Sequence, residues 1–151
     1  LFINPERILG KKISQTINHP GAKEVQYHLD AGLVRLVVPE NSPWLNTPIN
    51  EIEKSLGCKI VIKLEQENIT YLNSNDTLMP NEEIILACVV SNINYVLDAC
   101  GIENPTFDEI VIGGAGYNAK YLVKQLASHY KIKIIEENYQ ISYKCINTSK
   151  K

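Results

Sequence analysis

The sequence predicts an α/β protein: an α+β domain followed by the opening β-α-β unit of a second, parallel-sheet domain. Three observations predict it. Helical and β-branched segments follow one another as β-α-β-β-β-α between about Leu33 and Gly101. A glycine-rich stretch, Gly113-Gly114-Ala115-Gly116, joins an apolar run to a helical pattern. An aperiodic linker, Ile102 to Thr106, separates the two.

Composition bounds the rest. The 151 residues are 44% hydrophobic and 21% charged, which supports a packed core and excludes disorder along most of the length. The formal charge is −2 with Lys and Arg scattered, so the basic footprint of a nucleic-acid binder is missing. No apolar run approaches the roughly 18 residues that span a bilayer. No signal-peptide pattern opens the chain, so it reads as soluble and cytoplasmic. Cys58, Cys88, Cys100 and Cys145 form no C-x-x-C pair and have no His at zinc spacing, and they read as buried thiols without a metal.

Leu1-Phe2-Ile3 before Asn4-Pro5 reads as the end of a strand whose sheet lies upstream, and the polar Asn147 to Lys151 as a frayed end, so the chain reads as a fragment. From Glu6 to Ile17, apolar residues at helical intervals predict a helix with Gly10 inside it. His19-Pro20-Gly21 marks a turn, and a connector follows. Leu33 to Val38 is a β-branched strand closed by Pro39.

Thr47 and Pro48 fit the N-cap and first position of a helix to Leu56, and Gly57 fits its C-terminal stop. Cys58 to Leu64 and Asn68 to Leu72 pair across a Glu65-Gln66-Glu67 turn. Glu83 to Val90 is the most apolar strand. Ser91 is then placed to cap a helix whose apolar side is Ile93, Val96, Leu97 and Cys100, stopped by Gly101. Ile110 to Ile112, Asn118 to Tyr130 and Ile132 to Ile135 form a strand, a helix and a strand. The segments after Ile135 fit the start of another helix.

Gly114-Ala115-Gly116-Tyr117-Asn118-Ala119 reads G-x-G-x-x-A after a strand and at the mouth of a helix, the context a dinucleotide fingerprint requires. Gly114 permits the tight turn, Gly116 lets backbone approach a pyrophosphate, and small Ala119 lets helix and strand pack closely. The phosphates would lie at the positive helix N-terminus. Glu136 follows Gly114 by 22 residues, where an acid at the tip of the second strand can hold ribose hydroxyls and repel a 2′-phosphate. The candidate cofactor-binding set is therefore Gly114, Ala115, Gly116, Tyr117, Asn118 and Glu136. The same residues also fit a plain strand-to-helix turn with Glu136 at an exposed strand end.

Catalytic residues are not indicated. His19, His28 and His129 read as surface or capping residues, no Ser or Cys stands in a nucleophile setting, and Glu51, Glu53 and Lys54 read as a solvated helix face.

In order and spacing, several segments together resemble the TrkA family of bacterial potassium-uptake regulators, over nearly the whole chain. Ile3-Asn4-Pro5-Glu6-Arg7 is similar to the family's Ser-Pro-Glu-Arg exit from a first Rossmann domain, with Asn4 for Ser. His19-Pro20-Gly21-Ala22 resembles its Tyr-Pro-Gly-Ala connector, and Ser42-Pro43-Trp44-Leu45 its lead into the regulatory helix, without the Gly. Ile60 to Lys63, Asn75-Asp76-Thr77 and Pro80 to Glu83 match further positions, as do Ile112 to Gly116 and Lys133 to Glu136. The departures are Tyr117-Asn118 for the usual Asn-Ile pair, Ala119 for the last Gly, and Ile141 where a basic residue often stands.

The resemblance implies three parts: an exit strand, helix and connector over 1–30, a regulatory RCK C-terminal (TrkA-C) domain over 31–103, and a truncated second Rossmann (TrkA-N) domain over 107–151. It implies a cytoplasmic, non-enzymatic subunit that binds NAD(H) or ATP/ADP, with Gly114, Gly116 and Glu136 as contacts. Such subunits form homo-oligomers, gate a Trk-type membrane potassium transporter, and reach the membrane through that partner only. Two other readings stay open: a fragment of an NAD-dependent oxidoreductase, and a non-binding dimerisation module.

Overall fold

A computed structural model describes residues 5–65 and 68–137, with backbone alone for Pro5 and Glu6. The expected strand end at Leu1 to Ile3, Gln66-Glu67 of the hairpin turn, Cys145, Ile141 and the closing segments lie outside the described residues. Two compact units make up the chain, residues 18–105, and residues 1–17 together with 106–151. Helices and strands mix in both, so the α/β class holds.

The 18–105 unit is an antiparallel sheet covered by two helices. Its strands are β1 (Glu24–His28), β2 (Ala31–Val37), β3 (Cys58–Glu65), β4 (Asn68–Tyr71) and β5 (Glu83–Val89), in the order β1-β2-β5-β3-β4. The strand β1 stands where the sequence reads as a connector. Its alternation is short, with Val25 buried and Tyr27 half-buried between polar neighbours. It turns into β2 through Leu29-Asp30, with His28 opposite Ala31. A two-residue hairpin loop calls for positive φ and favours Asn-Gly. Here Leu29 takes it, at φ 54°, so the usual sign of a hairpin is missing.

Helix α2 (Ile49–Leu56) buries Ile49, Ile52 and Leu56. Thr47 does not cap it. Pro48 is the N-cap in extended conformation, and no side chain caps the helix. The first amides instead donate to backbone carbonyls of the following turn, Ile49 to Asp76 O at 3.0 Å and Asn50 to Ser74 O at 3.0 Å. Tertiary carbonyls satisfy donors that a threonine oxygen otherwise serves. Gly57 ends α2 in the left-handed region, φ 61°, its N–H on Glu53 O.

After β5 a 3-10 turn (Val90–Asn92) precedes α3 (Ile93–Ala99). Ser91 lies within that turn and its hydroxyl meets Asn92 Oδ1 at 3.3 Å, so it does not cap α3. The expected apolar side is confirmed, because Ile93, Val96, Leu97 and Cys100 are fully buried with Leu36, Ile84 and Leu86 of the sheet. Glu53 also departs from the solvated face expected of it. Its carboxylate accepts from the Ile60 amide at 3.0 Å, beside the β3 bulge between Ile60 and Ile62, and pairs with Lys59. A bulge disrupts the ladder, and a nearby carboxylate can serve the amides beside it.

In the other unit, β6 (Glu109–Gly113), α4 (Tyr117–Leu126) and β7 (Lys131–Ile135) form the expected β-α-β unit, with β6 and β7 parallel. Its core holds Ala119, Leu122, Val123 and Leu126 of α4. The helix ends four residues before Tyr130, where the sequence predicts its last residue. The Tyr130 amide folds back onto Leu126 O at 2.9 Å, and Lys131 then bonds to Asp108 O. No glycine marks this stop in the sequence. Helix α1 (Pro5–Asn18) carries Gly10 against the Tyr121 ring, which a Cβ at Gly10 would overlap.

Candidate functional site

The site lies where β6 passes into α4. Gly114 has φ 89°, a conformation open to glycine and strained for other residues. Its N–H donates to Ile135 O at 2.8 Å, at the end of β7. The next amide, that of Ala115, donates to Glu136 Oε2 at 2.7 Å. Two consecutive amides are thus tied to the tip of β7, one to backbone and one to a carboxylate. Ala115 itself is 1% exposed and anchors the turn below.

Gly116 is the N-cap of α4 and provides no side-chain cap. Among the described residues, no side chain caps the first turn of α4. Among the described residues, a Cβ at Gly113, Gly114 or Gly116 would meet no atom within 4 Å. The Tyr117 ring does not fill it. That side chain is 80% exposed and lies 5.7 Å from Lys120 Nζ, a cation–π distance. Asn118 Oδ1 is buried and meets no hydrogen-bond partner among the described residues. Ala119 is buried.

The six predicted residues therefore fall in one place, although their roles differ. Gly114 makes the turn, Ala115 and Ala119 pack beneath it, and Glu136 reaches the turn rather than solvent. The amide of Ala115 is engaged by Glu136. Among the described residues, an uncapped helix start and an acceptor without a partner at Asn118 stand together at this turn.

Sequence reasoning missed a second polar cluster, in the 18–105 unit. His19, read as a surface or capping residue, is 7% exposed. Its Nδ1 meets Asn94 Oδ1 at 2.5 Å and its Nε2 meets the Tyr27 hydroxyl at 2.5 Å. The neutral ring with its proton on Nδ1 satisfies both. Burial pushes the His19 pKa below the ordinary value, partly offset by the Asn94 bond. No group of metal-ligating side chains occurs among the described residues. Cys58, Cys88 and Cys100 are buried free thiols. Burial raises all three, Cys58 and Cys100 to about 11.

No family model matches the chain. In sequence it is similar to the Trk system potassium uptake protein TrkA of Halomonas elongata, 23% identical over 146 residues and 93% of this chain. The chain spans about a third of that relative, 32% of its length. Among solved structures it is similar to the GsuK RCK domain, with 20% identity, a TM-score of 0.46, and 88% of this chain against 30% of that one. It is also similar to the GsuK channel bound to NAD, with 18% identity, a TM-score of 0.47, and 97% of this chain against 30% of that one. No helix among the described residues is long and apolar enough to cross a membrane.

Proposed function

We propose that the chain is part of a cytoplasmic nucleotide-binding regulatory subunit of a Trk-type potassium-uptake system. Residues 31–103 serve as its regulatory domain and 107–151 open its nucleotide-binding domain. The single observation that carries the reading is the Gly114 turn, open above and uncapped at α4 among the described residues, with the Glu136 carboxylate fastened beside it. Amides from Gly116 to Asn118 donate to phosphate oxygens, and the helix N-terminus adds positive potential. Glu136 accepts from ribose hydroxyls. NAD(H) or ATP/ADP meets both requirements.

The transport setting rests on the likeness to TrkA, whose name places that relative in a potassium-uptake system. In this setting the subunit acts without catalysis. The nucleotide binds two conformations of a homo-oligomer unequally and so shifts their populations, and the oligomer passes that shift to a membrane transporter. The subunit reaches the membrane through that transporter.

Calorimetric titration of the full-length protein with ATP, ADP, NADH and NAD tests the reading. At least one is expected to bind, and Gly116→Asp, which puts a carboxylate where phosphate belongs, is expected to abolish it. Absence of binding by all four, or binding indifferent to Gly116→Asp, would overturn it.

A further inference from the structure

We infer that Cys58 and Cys88 form a redox-sensitive pair, which hydrogen peroxide closes into a cross-strand disulfide that staples β3 to β5 in the 18–105 unit. The inference is independent of the nucleotide reading above and concerns the other unit of the chain.

The register of the sheet carries it. Cys58 opens β3 and stands directly opposite Cys88 of β5, on the end rung of that ladder. Both side chains join the buried core, at 8% and 7% exposure, whereas the next residues along, Lys59 and Val89, are exposed. On its other side Cys88 faces Gly32 of β2, which has no side chain, so its neighbour across the rung is the Cys58 thiol. The third thiol, Cys100, lies at the end of α3 with its Sγ 3.6 Å from Ser42 Oγ, not on a rung of the sheet.

Residues directly opposed on antiparallel strands have Cα atoms about 4.5–5.5 Å apart, within the roughly 4.4–6.8 Å that a disulfide spans. Their Cβ atoms, also about 4.5–5.5 Å apart, must draw in to about 4 Å. A bond closed under that pull is more easily reduced than an unstrained one, which makes the staple reversible.

The surroundings select the oxidant. Burial raises both thiols, Cys58 to about 11 with smaller contributions from Cys88 and Glu53, so thiolate is scarce at neutral pH and reaction is slow. Peroxide is small and uncharged, and the end of a ladder opens more readily than its middle. One sulfur attacks a peroxide oxygen and the O–O bond breaks, leaving a sulfenic acid and, with the thiol proton, one water. The second sulfur attacks the first, the S–O bond breaks, and hydroxide leaves with the second proton as another water. Two electrons pass from the pair to the peroxide. The product ties the α2–β3 junction at Gly57 to the end of β5, where the chain enters the turn before α3.

The test incubates native full-length protein with hydrogen peroxide, then quenches it in acid, denatures it, labels free thiols with iodoacetamide and maps peptides by mass spectrometry. Met79, 57% exposed, gauges the oxidant dose by its sulfoxide. Label is expected to be lost equally from Cys58 and Cys88, with a linked peptide pair two hydrogens lighter than its parts, and to return after dithiothreitol. Cys100→Ala is expected to leave that link unchanged. The inference is overturned if Cys58 and Cys88 keep their label once Met79 is fully oxidised, if either links to Cys100 instead, or if the pair links only in urea. Should Cys100→Ala fail to fold, the wild-type map decides alone.

Discussion

Gly10 of α1 and Tyr121 of α4 meet so closely that the ring occupies the place of a side chain at position 10. Glycine inside a helix is ordinarily unfavourable by about 1 kcal/mol relative to alanine. Here the backbone of one helix must admit an aromatic ring from another, and that packing decides the residue.

Gly10→Ala is therefore expected to destabilise, against its helix propensity. The near atoms belong to the ring close to its attachment, so the side chain cannot swing away cheaply. Overpacking costs about 1–3 kcal/mol, more than the propensity gain. Urea denaturation of the full-length protein, followed with probes in the 1–17 and 106–151 unit, measures it. A gain in stability would show that the ring yields.

Ser42→Ala is expected to cost about 1–3 kcal/mol. The buried hydroxyl donates to Cys100 O at 2.6 Å and accepts from the Trp44 amide at 3.2 Å. Alanine leaves both backbone groups buried and unserved. Thermal unfolding compared between Ser42→Ala and Ser42→Thr separates loss of the oxygen from loss of volume.

His19 makes stability depend on pH. Its folded pKa is lowered by burial, so the unfolded state takes the proton first. Its contribution is full above the unfolded value of about 6.5 and is lost as pH falls from there toward the lower folded value. Denaturation midpoints between pH 5 and about 8 are expected to fall on acidification in wild type, and to fall less in His19→Gln. Equal slopes would assign the dependence to other groups.

The thiols at Cys58 and Cys100, with pKa values of about 11, are expected to resist iodoacetamide at pH 8 in the native protein and to react after denaturation. Peptide mass spectrometry reads each site separately. Rapid native labelling at either would mean that its strand or helix end opens readily.

Much of this architecture was legible in residue order, for particular reasons. The apolar side of α3 and the Gly57 stop have strong local signatures, and so does the Gly114 fingerprint, because a 3.6 period and positive φ restrict residue choice sharply. What escaped depends on distant partners. Thr47 lost its cap role because Asp76 O and Ser74 O, residues far along the chain, reach the α2 amides first. His19 is buried because Tyr27 and Asn94 converge on it from a strand and a helix. The spacing of Glu136 was readable. Its grip on the Ala115 amide was not, since a sequence position does not say which way a carboxylate turns.

Leu29 sits at the tip of the β1–β2 hairpin, 89% exposed, in a backbone region that suits asparagine or glycine better. A leucine there shelters almost no surface from water. Replacement by Asn or Gly relaxes the loop without touching the interior, and a cysteine at the same point offers a reporter dye a foothold outside the packed interior.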